Sequence, residues 1–220
     1  MSGGISTRRG VLAAALGAAL GVLGLALLQS PPGADASCGG VQTDRPSKKK
    51  VKKINPGGRP PLAIGDSSML LALPNLAHSG FKVNARGCRQ FTEGIRVVKQ
   101  AKRRGELPHL VAIALGADAF IQRSQIERTL HIMGRKRVLT LVTPRELGGG
   151  SGNDARVVRR AGAQHPHRVQ VLDWVNFSEG HSGWFQPDGL HLTFPGAAAF
   201  AKLFRKALPL AEAGEFPGPR

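Results

Sequence analysis

From residue 60 onward, short apolar segments alternate with segments whose apolar residues recur every three or four positions. The short segments have the length and composition of buried strands, and the longer ones are typical of amphipathic helices. Alternation of this kind favours a parallel sheet with helices on both faces. The sequence therefore predicts a three-layer α/β/α sandwich, flavodoxin-like, with a parallel sheet of about five strands. The predicted strands lie at 62–64, 81–85, 110–115, 137–142 and 169–172.

The residues before this pattern have the composition of a targeting segment followed by a linker. Arg8 and Arg9 precede an uncharged apolar run at 11–28, and Ala34-Asp35-Ala36 follows that run. This order is typical of an export signal, and an uncleaved membrane anchor is the alternative. Either one places the rest of the chain outside the cytoplasm, secreted or anchored to the outer face of a bacterial cytoplasmic membrane. We expect an export signal or N-terminal anchor at 1–36, a basic Pro- and Gly-containing linker at 37–59, the domain at 60–210 and a flexible tail at 211–220.

The chain is strongly basic, with 31 Lys and Arg against 14 Asp and Glu and a formal net charge of +17. Part of this excess lies at 48–53, inside the linker, where the apolar residues have no period. We therefore predict a solvated tether that contacts an anionic membrane or wall surface. Nucleic acid is not an expected partner, because the sequence has no zinc-finger spacing, no aromatic stacking motif and no Tyr.

The two cysteines, Cys38 and Cys88, agree with an exported chain. In an oxidising compartment an isolated pair favours a disulfide, which would join the start of the linker to the domain. Two separate thiols are the alternative.

Three residues have the chemistry of a serine nucleophile and its base. Ser67 follows the first predicted strand at a strand-to-helix turn, where helix N-terminal amides can stabilise an anion. Asp188 and His191 share one short loop before the last predicted helix. A serine hydroxyl needs a base to become nucleophilic, and a carboxylate on the other ring nitrogen orients that base. These residues predict a Ser67–His191–Asp188 triad, with a helix N-cap and a surface histidine as the alternatives for Ser67 and His191.

The same segments resemble a known family. Gly65-Asp66-Ser67 and Asp188-Gly189-Leu190-His191 are similar to the first and last sequence blocks of the SGNH, or GDSL, hydrolases. Segment 185–197 is similar to SGNH domains attached to bacterial membrane acyltransferases that modify envelope glycans, and Arg89-Gln90-Phe91 before Glu93-Gly94 resembles the same subgroup. The resemblance covers roughly 60–208. It implies that Ser67 is the nucleophile, His191 the general base and Asp188 its orienting partner.

The resemblance also implies an oxyanion hole with one departure from the family pattern. The amide of Ser67 and an amide at Gly87 or Cys88 occupy the positions of the family's first two donors. Asp118 stands where the family has an Asn side chain. An ionised carboxylate only accepts hydrogen bonds and would repel a developing oxyanion. Asp118 is therefore expected to be protonated, to lie in a reshaped loop, or to mark a weak or inactive enzyme.

Other candidate residues have simpler interpretations. Asp66 is expected to bond loop amides, and Arg145 either contacts an acidic sugar or is a solvated loop arginine. Trp174 and Trp184 either stack on a sugar ring or pack inside the domain. No metal and no cofactor are expected, because the histidines match no zinc spacing; those considered are His165, His167 and His181.

The favoured function is a serine esterase or acyltransferase that acts on O-acyl groups, above all O-acetyl groups, of envelope carbohydrate through an acyl-Ser67 intermediate. A membrane acyltransferase is a further expected partner, as the source of acyl groups for transfer. A catalytically impaired glycan-binding or scaffold protein on the same fold is the alternative, and Asp118 is the residue in its favour. A third possibility is a basic protein that holds anionic wall polymer through its charge.

Overall fold

The computed structural model describes residues 38–55, 58–148 and 152–213. The expected export signal or anchor at 1–36 lies outside the described residues, as do residues 214–220 of the tail expected at 211–220. Among the described residues, no helix has both the length and the hydropathy that crossing a bilayer requires.

The described residues form six strands and eight α-helices. The strands are β1 (Gln42–Asp44), β2 (Leu62–Gly65), β3 (Lys82–Ala85), β4 (Leu110–Ala114), β5 (Val138–Val142) and β6 (Val169–Leu172). The helices are α1 (Lys48–Ile54), α2 (Leu73–Ser79), α3 (Phe91–Arg103), α4 (Arg123–Met133), α5 (Asn153–Gln164), α6 (Trp174–Phe177), α7 (Phe194–Phe204) and α8 (Leu208–Ala213). Short 3₁₀ turns lie at Ser67–Ala72, Ser182–Trp184 and Arg205–Ala207.

The strands form one sheet in the order β1-β3-β2-β4-β5-β6. Strands β2 to β6 are parallel, and β1 pairs antiparallel with β3 at the edge. The predicted α/β sandwich is confirmed, with one antiparallel strand added. The chain leaves β2 toward β3 on one side and returns to β4 on the other, so that a topological switch point lies between β2 and β4. In open sheets of this kind, ligands bind beyond the carboxyl ends of the strands at that point.

The two faces of the sheet bury side chains of different size. One face presents small residues such as Ala63, Ala112 and Ala114, against which Phe200 and Phe204 of α7 pack. The other face presents larger residues, among them Ile64 and its neighbours on β4 and β5, to α3, α4 and α5. The small residues let α7 approach the sheet closely, and α7 begins directly after the loop that carries Asp188 and His191.

The expected linker at 37–59 is partly folded onto the domain, which differs from the solvated tether that the sequence predicts. Gln42–Asp44 is a sheet strand, and Lys48–Ile54 is a helix that the Ser47 hydroxyl caps by accepting from the amide of Lys50. Ile54 is buried. The pattern gives no sign of this, because the strand pairs through backbone groups at an edge and the helix buries a single residue.

Cys38 and Cys88 form a disulfide across 50 residues of sequence. The bond joins the start of the described chain to the loop that follows β3. It therefore holds β1 against the edge of the sheet at the end where the predicted catalytic residues lie.

Removing the disulfide should destabilise the domain measurably. We expect the Cys38→Ala/Cys88→Ala variant to lose about 2–4 kcal/mol of unfolding free energy, because a loop of this length constrains the unfolded chain. Urea denaturation of the oxidised protein, the reduced protein and the double variant measures this difference. Reductant should have no effect on the variant, and identical midpoints for all three samples would contradict a stabilising disulfide.

Candidate active site

Ser67 lies at the carboxyl end of β2, at the switch point of the sheet. It opens the 3₁₀ turn Ser67–Ala72, and the preceding residue, Asp66, caps that turn from an extended conformation. The sharp change from strand to turn leaves Ser67 half-buried at the rim of the domain. This is where the sequence predicts the nucleophile.

Asp188 and His191 lie on a tight hairpin before α7. Phe185 and Leu192 form a bridge at its base, and the amide of Gln186 donates to the His191 carbonyl at 2.7 Å. One oxygen of Asp188 accepts from the amides of Leu190 and His191, both at 2.9 Å. The carboxylate is thereby fixed to the loop that also carries the histidine.

The side chains of the three predicted residues contact one another in series, from Asp188 through His191 to Ser67. The other oxygen of Asp188 lies 2.6 Å from Nδ1 of His191, and Nε2 of His191 lies 3.0 Å from Oγ of Ser67. These distances are those of a nucleophile, a base and an orienting carboxylate.

The charge state of Asp188 determines which ring nitrogen of His191 carries the proton. Desolvation alone would raise the pKa of Asp188, but the hydrogen bonds from the His191 ring and from the amides of Leu190 and His191 outweigh it and lower that pKa. Asp188 is therefore ionised at neutral pH and only accepts hydrogen bonds. Nδ1 of His191 donates to it, which leaves Nε2 to accept the proton of Ser67.

Asp66 is buried and bonds loop amides, as the sequence predicts, and it thereby holds two loops together. It accepts from the amide and hydroxyl of Ser68 at 3.0 and 2.6 Å, and from the amides of Gly116 and Ala117 at 3.2 and 3.1 Å. Burial raises the pKa of this carboxyl, although the bonds to Ser68 and Ala117 partly oppose the shift. The nucleophile's turn is thus joined to the loop after β4.

Buried Arg89 shapes the loop after β3. Its guanidinium donates to the carbonyls of Gly65 and Asn84 at 3.2 and 2.6 Å, and to the Asn84 side chain at 2.7 Å. Nearby, Arg86 pairs with Glu93 at 2.8 Å, and Glu93 also accepts from the Gln90 amide. The residues that resemble the family's second block therefore connect this loop to the carboxyl end of β2.

Two of the predicted oxyanion-hole residues lie in this loop after β3. Gly87 and Cys88 precede Arg89, and Cys88 has a φ of 53°, which is rare for a residue other than glycine. This left-handed conformation costs a cysteine more than it costs a glycine. The disulfide to Cys38 is a constraint that can offset its cost.

Asp118 lies in the loop after β4, which Asp66 holds. Its side chain is largely exposed, and its charge interacts with those of His191 and Asp66. Partial desolvation raises the pKa of Asp118, and His191 lowers it to a smaller extent. A carboxyl therefore lies beside the triad where the family pattern has an amide donor, and its role in an oxyanion hole stays a prediction.

Arg145 contacts the triad's hairpin, which the sequence pattern does not reveal. Nε donates to the Gly189 carbonyl and Nη1 to the Ser178 hydroxyl, each at 3.1 Å, and the guanidinium lies 4.2 Å from the centre of the Phe185 ring. The amide of Gly148, in the same loop, donates to the Asp188 carbonyl at 2.8 Å. Arg145 thus contacts Phe185, where the hairpin begins, and Gly189 near its tip. It is therefore not merely a solvated loop arginine.

The tryptophans pack against other rings. The ring of Trp184 stacks on those of Trp174 and His181, with centroid distances of 5.7 and 3.9 Å. Trp174 is buried among phenylalanines. Packing inside the domain therefore accounts for both indoles. Among the other histidines, His165 lies 3.0 Å from the Glu127 carboxylate.

The fold and the triad geometry define the class: this part of the chain has the fold of the SGNH, or GDSL, hydrolases. The C-terminal catalytic domain of Streptococcus pneumoniae peptidoglycan O-acetyltransferase A superposes with a TM-score of 0.62 at 21% identity, over 72% of this chain and 96% of that domain. A member of the lipolytic G-D-S-L family from Veillonella parvula gives 0.52 at 12% identity, over 68% and 96%.

Sequence relatives point to the same group. The chain is 28% identical over 172 residues to the O-acetyltransferase OatA of Staphylococcus aureus, and 28% identical over 171 residues to the peptidoglycan O-acetyltransferase OatA of Listeria monocytogenes. These matches cover 74% and 76% of this chain but only 26% and 27% of the relatives. The chain thus spans about a quarter of their length. No family model matches the chain.

Substitution of Arg145 should impair turnover more than stability. Arg145→Lys keeps the charge but cannot reach Gly189 and Ser178 together, and Arg145→Gln removes the charge. We expect both to lower kcat for p-nitrophenyl acetate about 10- to 100-fold through misplacement of the hairpin, with little change in KM. The pH dependence of kcat should also shift, because His191 is no longer held in place. Unchanged kcat and pH dependence in both variants would show that Arg145 does not position the triad.

Asp118→Asn should raise activity by supplying the amide donor of the family pattern. Because an ionised carboxylate repels a developing oxyanion, we expect kcat for p-nitrophenyl acetate to increase about tenfold or more. The raised pKa of Asp118 keeps more of its carboxyl protonated in mild acid, where it can donate. The gain should therefore be smallest there and should grow as pH rises through its ionisation. Asp118→Ala, which removes charge without adding a donor, should gain less, and no gain at any pH would place Asp118 outside the oxyanion hole.

Proposed function

We propose that this chain is an extracytoplasmic serine esterase or O-acyltransferase that acts on O-acetyl groups of envelope carbohydrate through an acyl-Ser67 intermediate. The continuous line from Ser67 through His191 to Asp188 is the observation that carries the proposal. The likeness to peptidoglycan O-acetyltransferases supports carbohydrate as the substrate class.

The reaction follows from the geometry of the three residues. Ser67 Oγ attacks the ester carbonyl while His191 Nε2 takes its proton, and the ionised Asp188 stabilises the imidazolium that forms. The tetrahedral intermediate collapses when its bond to the leaving alkoxide breaks, and His191 gives its proton to that alkoxide. Acyl-Ser67 remains.

The acceptor decides whether the outcome is hydrolysis or transfer. His191 removes a proton from either water or a sugar hydroxyl, whose oxygen then attacks acyl-Ser67. The bond to Ser67 Oγ breaks, and Oγ regains a proton from His191. For transfer, we propose that a membrane acyltransferase supplies the acetyl group. We also propose that the basic segment near the N-terminus contacts an anionic surface of the envelope.

The decisive experiment compares two neighbouring serines. We expect Ser67→Ala to lower kcat/KM for p-nitrophenyl acetate by about 1000-fold or more, because the nucleophile is lost. Ser68→Ala removes a hydroxyl bonded to Asp66 but no reacting atom, so its activity should fall less than about tenfold. Equal activity of Ser67→Ala and the unaltered chain would refute the mechanism.

Asp118 favours a second candidate, a glycan-binding or scaffold protein with an impaired site. In that case the unaltered chain and Asp118→Asn should both fail to hydrolyse the ester while folded. They should still bind O-acetylated glycan fragments, and Ser67→Ala should bind them with the same affinity.

A further inference from the structure

The lysine-rich segment at 48–53 is presented by a folded element of the domain. Helix α1 is attached to the sheet through β1, buries Ile54 and is capped by Ser47. Together with flanking arginines it forms a surface that we call the basic face, which consists of Arg45, Lys48, Lys49, Lys50, Lys52, Lys53 and Arg59.

The spacing of the lysines of α1 costs helix stability, although Lys52 and Lys53 in the last turn suit the helix dipole. Lys48 and Lys52 are exposed and one turn apart, as are Lys49 and Lys53, so that like charges face each other. The first turn contains no acidic residue, although the positive end of the helix dipole favours one there. The domain does not need this arrangement for its core, since Ile54 is the buried residue of α1. An anionic partner would relieve the repulsion.

The basic face is concave on both sides of Arg45. One cleft, of about 260 Å³, is lined by Arg45, Arg59 and Lys82, and its acidic residue, Glu106, lies 3.7 Å from the Lys82 ammonium. The other, of about 310 Å³, is lined by Arg45 and Lys50 among others, with Asp44 as its acidic residue. Cationic side chains therefore continue from the helix surface into two grooves.

We propose that the basic face binds a linear, phosphate-bearing polyanion of the cell envelope. Lysine ammonium groups bind phosphate as point charges, and a series of them suits a repeating anion. An extended chain can enter the two clefts, whereas a flat bilayer cannot. Peripheral insertion into a bilayer requires exposed apolar residues on the helix. On α1 the buried Ile54 and the partly buried Val51 are not on the exposed lysine surface.

This face lies at the end of the sheet opposite to the triad. The cleft lined by Arg45 and Arg59 includes Leu62 and Lys82, the first residues of β2 and β3, whereas Ser67 follows the carboxyl end of β2. A polyanion bound there leaves Ser67 accessible. The proposal therefore does not depend on the ester chemistry, and either can fail without the other.

Linear inorganic polyphosphate with a fluorescent end label is the probe, and its anisotropy with the full chain is measured across salt concentrations. The test variant is K48Q/K49Q/K52Q/K53Q. The matched control is R96Q/K99Q/K102Q/R103Q, which removes four charges from the exposed side of α3. We expect the test variant to lose affinity about 100-fold or more and to show a weaker salt dependence, whereas the control changes less than about fivefold.

Turnover of p-nitrophenyl acetate by both variants should match that of the unaltered chain, and neither variant should unfold at a lower temperature, which excludes misfolding. Equal loss of affinity in the two variants would overturn the proposal, because binding would then follow net charge alone. Undiminished affinity in the test variant would overturn it as well. The chain is also mixed with vesicles of phosphatidylcholine, with and without phosphatidylglycerol. Lysine-dependent binding to the anionic vesicles without binding to polyphosphate would replace the polyanion with a bilayer.

Discussion

The buried carboxylate of Asp66 is the interaction on which the site depends. A parallel sheet brings the carboxyl ends of β2 and β4 side by side, but it does not fix the loops that leave them. Asp66 fixes both loops by accepting amides from Ser68 on one side and from Gly116 and Ala117 on the other. Charge-assisted bonds of this kind offset part of the cost of burial, and burial itself raises the pKa of Asp66. The position of Ser67 relative to His191 thus depends on a group whose burial is itself unfavourable.

The hairpin that carries the general base, His191, is held by contacts of the same kind from the loop after β5. Arg145 donates to the carbonyl of Gly189, and the amide of Gly148 donates to that of Asp188, so that the loop after β5 fixes the hairpin's backbone. The reacting side chains lie on two loops, and a charged side chain fixes the backbone of each. Such contacts leave the Ser67 hydroxyl and Nε2 of His191 directed at each other without using either atom for support. Because hydrogen bonds to charged groups are strong and directional, two of them can hold irregular loops as firmly as regular structure would.

Sequence reasoning succeeded where the signal is local or periodic. The alternation of apolar segments predicts the strands from β2 to β6, and the three-residue spacing of Asp188 and His191 predicts their contact. It failed where the cause is a single long-range contact. β1 has the sequence Gln42-Thr43-Asp44, with no apolar residue, because an edge strand can be held by backbone bonds. The hydrogen bond of Arg145 reaches a carbonyl 44 positions away, which no pattern within its own loop can indicate.

The two ends of the domain carry different charged groups. Asp118 and Asp188 interact with His191, whereas the lysines of α1 lie at the opposite end of the sheet, in a chain whose net charge is +17. A polyanion is therefore attracted to the basic face, at the end of the sheet away from Ser67. An O-acetyl ester carries no net charge, so the basic face does not attract it. A protein with this polarity would be oriented by the polyanion with its triad directed away from it.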